Sequence, residues 1–298
     1  MVINLAFHRG VCFDKVMHDF KAFKRQTRQQ AATGTLWLFA GVLCGWLGSS
    51  IAYSLGYLSG GTTFCINTLC IYLSFTVLHE ASHGNIRGKG KAWRKAETLM
   101  GWISGFLLTV PFSVFRQLHL THHAHTNHPE KDPDYWVASG RWWLVGLKSM
   151  SIIVGYYWHF IHFFPRDPNA REKKYVAQSL AGFGAVYAIT FLSLFYGRGL
   201  DILLLWWGPA LTASGFLALG FNWLPHHPHE HQGRYQHTRI LTWPVLTPVL
   251  LAQNYHLIHH LHPGLPFYLY PRAFRMLHEE LHSEGSTILG PNAFPIDS

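Results

Sequence analysis

Charged residues are scarce in this chain. Asp, Glu, Lys and Arg make up 13% of its 298 residues, whereas soluble domains average about 25%. Hydrophobic residues account for 49% of the chain and aromatic residues for 15%, and aromatic side chains suit membrane interfaces and apolar pockets. This composition argues against two soluble domains and indicates an integral membrane protein.

Cysteine is also sparse, and its spacing argues against two kinds of site. The four cysteines are Cys12, Cys44, Cys65 and Cys70, and no two of them are spaced C-x-x-C. Three of them lie in apolar runs, where a thiol behaves as a small buried hydrophobe. We therefore expect neither a disulfide framework nor a cysteine-rich zinc site.

Fingerprints of nucleotide cofactors and nucleic-acid partners are missing too. The chain has no glycine-rich motif for a flavin or nicotinamide. Its net charge of +9 comes without the basic stripe and interleaved aromatics of a nucleic-acid-binding module. Nucleic-acid binding is not expected, and any electrons the protein uses must come from an external donor.

Four long apolar runs are present instead, and they predict membrane-crossing helices. They cover residues 36–58, 62–78, 175–196 and 200–224. The fold class predicted is an all-α integral membrane protein with four transmembrane helices and a helical cap, forming a single domain over residues 1–298. Within it, residues 1–30 form a basic N-terminal segment. A fifth apolar run, 99–115, contains glycine and proline and fits a re-entrant or interfacial helix as well as a full crossing.

The distribution of charge predicts the orientation. The short turns near residues 60 and 198 hold one cation between them, and the long polar segments hold the rest. Cationic loops of membrane proteins stay in the cytoplasm. We therefore expect both termini and all long polar segments on the cytoplasmic side.

Histidine is abundant, with 22 residues, and much of it falls in three boxes beside apolar runs. The boxes are HEASH with His79 and His83, HLTHH with His119, His122 and His123, and NYHLIHH with His256, His259 and His260. Spacings of three and four residues put the imidazoles of each box on one helix face. Eight histidines exceed the four ligands of one zinc ion and are enough for two metal ions.

Other polar residues near the boxes are candidates for the same site. His226 follows the fourth apolar run, and Asn222 lies four residues before it, where it could hold a metal-bound water or form a capping pair. A hydrogen bond to the second nitrogen of a ligand fixes its tautomer. The candidates for such bonds are His125, His128, His227, Glu80, Asp132 and Asp134. No acid–base or nucleophilic group is expected beyond the metal centre.

Two other classes of protein are weighed against an oxidising metal centre. HEASH also fits the zinc-protease pattern H-E-x-x-H, but six box histidines would then be unexplained and the chain has no Asp-Gly dipeptide. A histidine-rich metal transporter would place its ligands along the spans, whereas the boxes lie at their ends.

Three boxes in this order resemble the membrane fatty-acid desaturase and hydroxylase superfamily. Within it, the resemblance is closest to the β-carotene hydroxylases of the cyanobacterial and bacterial kind. It is carried by HEASH, HLTHHAHTNHPEKDPDYWVASG, LPHHP and NYHLIHHLHPGLPFYLYPRAF, within roughly residues 75–275. The chain departs from the pattern at Glu80, His128 and His227, and its HLHPG segment also resembles carotenoid ketolases.

The resemblance implies a cytoplasmic cap and a non-haem centre of two iron ions that uses O₂. By position, the family's ligands map to His79, His83, His119, His122, His123, His226, His256, His259 and His260. The activity implied is hydroxylation of the β-ionone ring of a carotenoid at C3, as from β-carotene to zeaxanthin. A carotenoid ring ketolase and a fatty-acyl desaturase are the alternatives.

Substrate and electron donor are expected from different directions. The lipid substrate would be reached from the bilayer. Its pocket could be lined by the aromatic-rich segment 266–270 together with Trp136, Trp142 and Trp143. The same residues could instead anchor the membrane interface. The basic residues Lys89, Lys91, Arg94 and Lys95 could steer an acidic ferredoxin, although membrane topology alone also explains them.

Overall fold

The computed structural model describes residues 18–163 and 169–293, so the predicted segment 1–30 is described only from residue 18. The helices are α1 (Thr33–Ser54), α2 (Gly60–His83), α3 (Lys91–Leu107), α4 (Phe112–His125), α5 (Trp142–Met150), α6 (Ile152–His162), α7 (Ala170–Phe195), α8 (Gly199–Trp223), α9 (Leu246–Val249), α10 (His256–Leu261) and α11 (Tyr270–Ser283). Short 3₁₀ turns span Pro133–Val137, Gln253–Tyr255 and Phe267–Leu269, and two strands, β1 (Arg239–Leu241) and β2 (Thr287–Leu289), pair in parallel.

Four of these helices, α1, α2, α7 and α8, are long and apolar enough to cross a membrane. This confirms the predicted fold class. Helix α2 begins where the Ser59 hydroxyl accepts a hydrogen bond from the Thr62 amide at 3.1 Å. It ends at Gly84, which adopts a left-handed conformation with φ of 74°. The helix therefore carries the first histidine box in its last turns, at the end of the span.

The apolar run 99–115 divides into two helices. Helices α3 and α4 meet at an elbow bent by 94°. Pro111 supplies no amide hydrogen to continue α3, and a Cβ on Gly105 would lie 2.7 Å from the Val110 carbonyl oxygen. The elbow therefore depends on a residue without a side chain, and it sends α4 back toward the polar end with the second box.

Helix α8 is locally distorted by Pro209. A proline lacks the amide hydrogen that would bond the carbonyl oxygen four residues earlier, here that of Leu205. That oxygen instead accepts hydrogen bonds from Trp46 Nε1 at 3.1 Å and Asn67 Nδ2 at 2.8 Å. The two bonds tie α1 and α2 to α8, and a wider π-helical turn, Ala218–Trp223, ends the span.

The third box belongs to a cap built from both ends of the described chain. Residues 18–27 are helical, and Phe20 is buried in the same apolar core as Tyr270 of α11. The two strands close this cap with Ile240 opposite Ile288. Burying a large apolar side chain contributes roughly 1.5–3 kcal/mol, so the core fixes α10 over the ends of the spans.

The segment between the elbow and α7 forms two short helices, α5 and α6. Trp142 and Trp143 at the start of α5 are 85% and 47% exposed, which suits anchoring in a membrane interface. Trp136 instead donates from Nε1 to the Lys148 carbonyl oxygen at 3.2 Å. Trp142 and Trp143 are therefore placed to anchor the segment in the interface, whereas Trp136 binds to α5 through this hydrogen bond.

Candidate metal centre

The nine histidines predicted as metal ligands converge where the ends of α2, α4 and α8 meet α10. They form a first group of His79, His83, His119 and His259 and a second group of His122, His226, His256 and His260, with His123 beside both. Within each group of four, one ring nitrogen of each residue lies within 4.8 Å of the others. Each group thus draws its members from at least three separate segments of the chain.

The first group is held close by its Nε2 atoms. His83 Nε2 lies 2.7 Å from His119 Nε2, and His79 Nε2 lies 3.0 Å from His259 Nε2. His123 joins them, because its Nε2 lies 3.1 Å from that of His119 and 2.8 Å from that of His259. Five imidazoles therefore point their Nε2 atoms at one small volume.

The second group has the same character. His260 Nε2 lies 3.3 Å from His122 Nε2 and 3.1 Å from His256 Nε2. The His226 ring completes the group, with its centroid 4.7 Å from that of His122 and 4.9 Å from that of His256. The short spacing of His256 and His260 comes from one turn of α10.

These separations fit ligands that share a metal ion. An imidazole nitrogen binds zinc at about 2.0–2.1 Å, so two such ligands lie about 2.9 to 3.4 Å apart in right-angled or tetrahedral arrangements. A neutral imidazole has a single N–H donor and cannot satisfy several Nε2 atoms at once. His226 is 3% exposed, and both its nitrogens lack a hydrogen-bond partner within the described residues. Two cations that favour imidazole, such as iron or zinc, would satisfy these atoms.

Burial also keeps the histidines outside the spans in the form that binds metal. Loss of water contact lowers the pKa of His226, His256, His259 and His260 well below the usual range, and neighbouring histidines lower it further. The neutral imidazole that results is the metal-binding form.

Asp132 orients His122 from outside the second group. Its Oδ1 lies 2.8 Å from His122 Nδ1 and accepts the Asp134 amide at 2.9 Å. Its Oδ2 accepts the Asn127 amide at 2.7 Å. His122, Asp132 and Asp134 are also close enough together to hold an ion of their own. Because Asp132 already engages Nδ1, and Nε2 faces the second group, we assign this contact as a hydrogen bond that fixes the tautomer.

Asp134 and Asn222 meet at Tyr156. The Tyr156 hydroxyl donates to Asp134 Oδ1 at 2.8 Å and accepts from Asn222 Nδ2 at 3.3 Å. Asp134 Oδ2 lies 3.5 Å from His122 Nδ1. Asn222 is therefore neither a helix cap nor free, and a chain of polar contacts runs from the end of α8 to His122.

Two residues that contact the groups were missed by sequence reasoning. His259 Nδ1 lies 2.9 Å from the Tyr270 hydroxyl, and His260 Nδ1 lies 3.1 Å from His237 Nε2. Neither residue lies at helical spacing from a box. The signal available for Tyr270 was its place in the aromatic segment after the third box, and His237 had none.

Three predicted histidines and one acid lie apart from these contacts in the described part of the chain. His125 is exposed with its ring 6.4 Å from His128, and His128 Nδ1 accepts the Glu130 amide at 3.2 Å in the same turn. His227 packs on the Trp223 ring at 4.9 Å. Buried Glu80 Oε1 lies 4.0 Å from His79 Nδ1, which is too far for a hydrogen bond.

An apolar cavity lies beside the first group. Phe75 stacks on His79 at 5.9 Å, and Phe115 stacks on His119 at 5.5 Å. Both phenylalanines line a narrow cavity of about 40 Å³, together with Tyr156 and Asn222. A hydrocarbon segment entering this cavity would be separated from the first group only by these phenylalanine rings.

The chain is similar to a known protein family. The family model described as fatty acid desaturase matches residues 55–290, a range that includes all nine histidines. No curated protein matches the chain.

Proposed function

Because the chain belongs to the fatty acid desaturase family, we propose that it is a di-iron membrane oxygenase that hydroxylates C3 of the β-ionone ring of carotenoids. The observation that carries this proposal is two groups of four histidines, the first of which lies beside an apolar cavity. The ring specificity rests on the resemblance carried by the boxes and by the DPDYWVASG segment between them.

The reaction needs a strong oxidant and a dry site. Hydroxylation consumes a C–H bond, O₂, two electrons and two protons, and yields an alcohol and water. Two irons, when bound, supply the redox chemistry that activates O₂. The chain itself provides neutral ligands, outer hydrogen bonds that orient them, and the phenylalanine walls that exclude water from the reacting carbon.

The metal assignment is tested by removing one ligand from each group. His122→Ala and His259→Ala should each lose most of the bound iron, measured by elemental analysis of the purified full chain. The matched control is His125→Ala, three residues from His122 and exposed, which should keep its iron. Full iron content in either of the first two variants contradicts a shared centre.

The substrate is tested in cells that produce β-carotene. With the chain present, their pigment extract should contain zeaxanthin, and the His122→Ala variant should leave β-carotene unchanged. A product bearing a ring carbonyl would make the protein a ketolase. Unchanged pigment together with new double bonds in membrane acyl chains would replace the proposal with an acyl desaturase.

The acyl desaturase is a second candidate because one observation favours it. The cavity beside His79 and His119 has a volume of only about 40 Å³, so it would have to widen less for a methylene chain than for a methylated ring. The desaturation consumes the same O₂, electrons and protons and yields two waters. A β-ring substrate requires the walls formed by Phe75 and Phe115 to move apart.

An acidic ferredoxin-type protein is the proposed electron donor, docking over His83. A cleft of about 330 Å³ is lined by His83, Arg28 and Arg87. Burial lowers the pKa of Lys24, and the charges of Arg28 and Arg234 lower it further. These three cations therefore lie close together. Arg28→Gln with Arg234→Gln should weaken turnover with a plant-type ferredoxin while leaving reduction by dithionite unchanged. Equal loss with both reductants contradicts docking there.

A further inference from the structure

A second cleft, which none of the nine histidines lines, opens between α4 and α7. This α4–α7 cleft has a volume of about 440 Å³. Three cations, Arg116, Arg171 and Lys174, line it together with the aromatic side chains of Trp102, Phe112 and Tyr175. No acidic residue lines it within the described part of the chain.

Helix α7 contacts the elbow closely at two neighbouring levels. A Cβ on Gly182 would lie 2.7 Å from Pro111 Cβ and 2.9 Å from Trp102 Cζ3, so these two side chains pack directly on the backbone of α7. One turn nearer the start of α7, Ser179 Oγ lies 2.9 Å from Ser113 Oγ. These contacts close the floor of the cleft, and the space above them reaches the first turns of α7.

The cations in the cleft have no ion-pair partner within the described residues. Arg116 uses its Nε to donate to the Ser82 carbonyl oxygen at 3.0 Å, which leaves the rest of its guanidinium for another acceptor. Arg171 and Lys174 are exposed. Like charges meet here with no ion-pair partner among the described residues, and an anion would reduce their repulsion.

The nearby acids among the described residues are engaged elsewhere. Burial raises the pKa of Glu97, and its carboxylate accepts the amides of Ile86 and Arg87 at 3.0 and 2.9 Å. Glu172 accepts the Asn169 amide at 2.8 Å in the capping box of α7. Neither carboxylate lines the cleft.

The depth of the cleft suits a lipid headgroup. Helix α7 is a membrane span that begins at Ala170, so Arg171 and Lys174 lie at its polar end. Cations at the end of a span reach the headgroup layer, and basic pockets between transmembrane helices bind anionic headgroups. The aromatic walls beneath the cations offer apolar contact to the acyl chains.

We propose that the α4–α7 cleft binds an anionic phospholipid, with its phosphate on Arg116, Arg171 and Lys174 and its chains along Trp102 and Tyr175. Arginine pairs with phosphate through two parallel hydrogen bonds. Lipid binding at this site requires neither the reaction nor a metal ion.

The lipid also braces the metal-binding segments. Arg116 lies three residues before His119 on α4, and its Nε holds the carbonyl oxygen of Ser82, the residue before His83. A phosphate on the same guanidinium fixes that side chain between the two helices. Anionic lipid therefore stabilises the ends of α2 and α4 together.

The test compares the full chain in nanodiscs of phosphatidylcholine alone and of phosphatidylcholine mixed with phosphatidylglycerol. Phosphatidylglycerol should raise the melting temperature of the wild type in a saturable way. Arg171→Gln with Lys174→Gln should bind it roughly fivefold more weakly for each cation removed. The matched control, Lys131→Gln with Arg141→Gln, removes two exposed cations outside the cleft and should bind it as the wild type does.

Three other outcomes overturn the proposal. Equal weakening in both double variants would mean diffuse attraction to anionic membrane. An equal rise with inorganic phosphate in phosphatidylcholine discs would mean a small-anion site. If the saturation curve of the Arg171→Gln, Lys174→Gln variant with phosphatidylglycerol had the same midpoint as that of the wild type, the lipid would lie elsewhere. Native mass spectrometry of retained phosphatidylglycerol provides an independent count of the lipid bound to each protein.

Discussion

Tyr270 contributes one hydroxyl to the first histidine group, and that hydroxyl is buried. The residue has 0% exposure, and its oxygen lies 2.9 Å from His259 Nδ1. Removing an outer hydrogen bond of this kind costs about 10–100-fold in metal affinity. We expect Tyr270→Phe to lose iron at a correspondingly lower chelator concentration than the wild type, measured by chelator titration.

The matched control for this change is Tyr268→Phe. Tyr268 lies two residues away in the same segment and is 38% exposed, so loss of its hydroxyl should leave the chelator titration unchanged. Equal metal retention in both variants would mean that the contact at His259 does not orient the ligand.

The buried histidines outside the spans predict how stability depends on pH. Burial lowers the pKa of His226, His256 and His260 in the folded protein, whereas the pKa of a histidine in the unfolded chain is about 6.5. Below that pH the unfolded chain takes up protons that the folded chain does not, so the free energy of unfolding falls. We expect the melting temperature of the metal-free chain to drop between about pH 7.5 and pH 5.5.

This pH dependence has its own check. His226→Gln removes one depressed group, so its melting temperature should depend less steeply on pH over the same range. A melting temperature of the wild type that stays constant through this range would contradict neutral burial of these histidines.

At the scale of residues, sequence reasoning reached histidines that share a helical turn. The i, i+3, i+4 spacing brings His119, His122 and His123 to one side of α4, and this is a local property of any helix. His237 and Tyr270 reach the groups only through the packing of the cap, which no spacing in the sequence encodes. The pairing of Asn222 with Tyr156 depends likewise on how α6 packs on α8.

At the scale of elements, two glycines of α7 allow the effect of packing on stability to be separated from the effect of helix propensity. A Cβ on Gly182 would lie 2.7 Å from Pro111 Cβ and 2.9 Å from Trp102 Cζ3, whereas nothing lies within 4 Å of one on Gly184. Overpacking costs about 1–3 kcal/mol, and replacing a helical glycine by alanine gains up to about 1 kcal/mol. We expect Gly182→Ala to lower the melting temperature and Gly184→Ala to hold or raise it.

The two alanine variants share the same change in helix propensity, so their difference reports the contact alone. Thermal unfolding of both in one detergent measures it. If Gly182→Ala proved as stable as Gly184→Ala, α7 would not be seated against the elbow in solution.

The hydrophobic runs predicted which helices exist, but they did not predict as well the residues at which each helix begins and ends. The second run was expected over residues 62–78, whereas α2 continues to His83 because the box residues keep helical geometry until Gly84. The run 99–115 reads as one apolar stretch, but Pro111 and the contact at Gly105 divide it. Periodicity reports burial, whereas the position of a bend depends on which backbones touch.

At the scale of the molecule, the proposed orientation is open to a labelling test. Tyr57 lies in the turn after α1 and is 80% exposed, and Lys131 lies in the loop after α4. Cationic segments stay cytoplasmic, so a membrane-impermeant maleimide should label Tyr57→Cys in intact cells and Lys131→Cys only after permeabilisation. The unsubstituted chain, which has four cysteines of its own, sets the background, and the reverse pattern would invert the topology.

The shared core of residues 18–27 and α11 has a consequence for biosynthesis. Phe20 leaves the ribosome early, but the core that buries it with Tyr270 comes from near the other end of the chain. His259 and His260 arrive equally late, after all four spans have entered the membrane. Neither histidine group can therefore be completed before α10 has been made, and a chain that stops short of α10 would lack members of both groups.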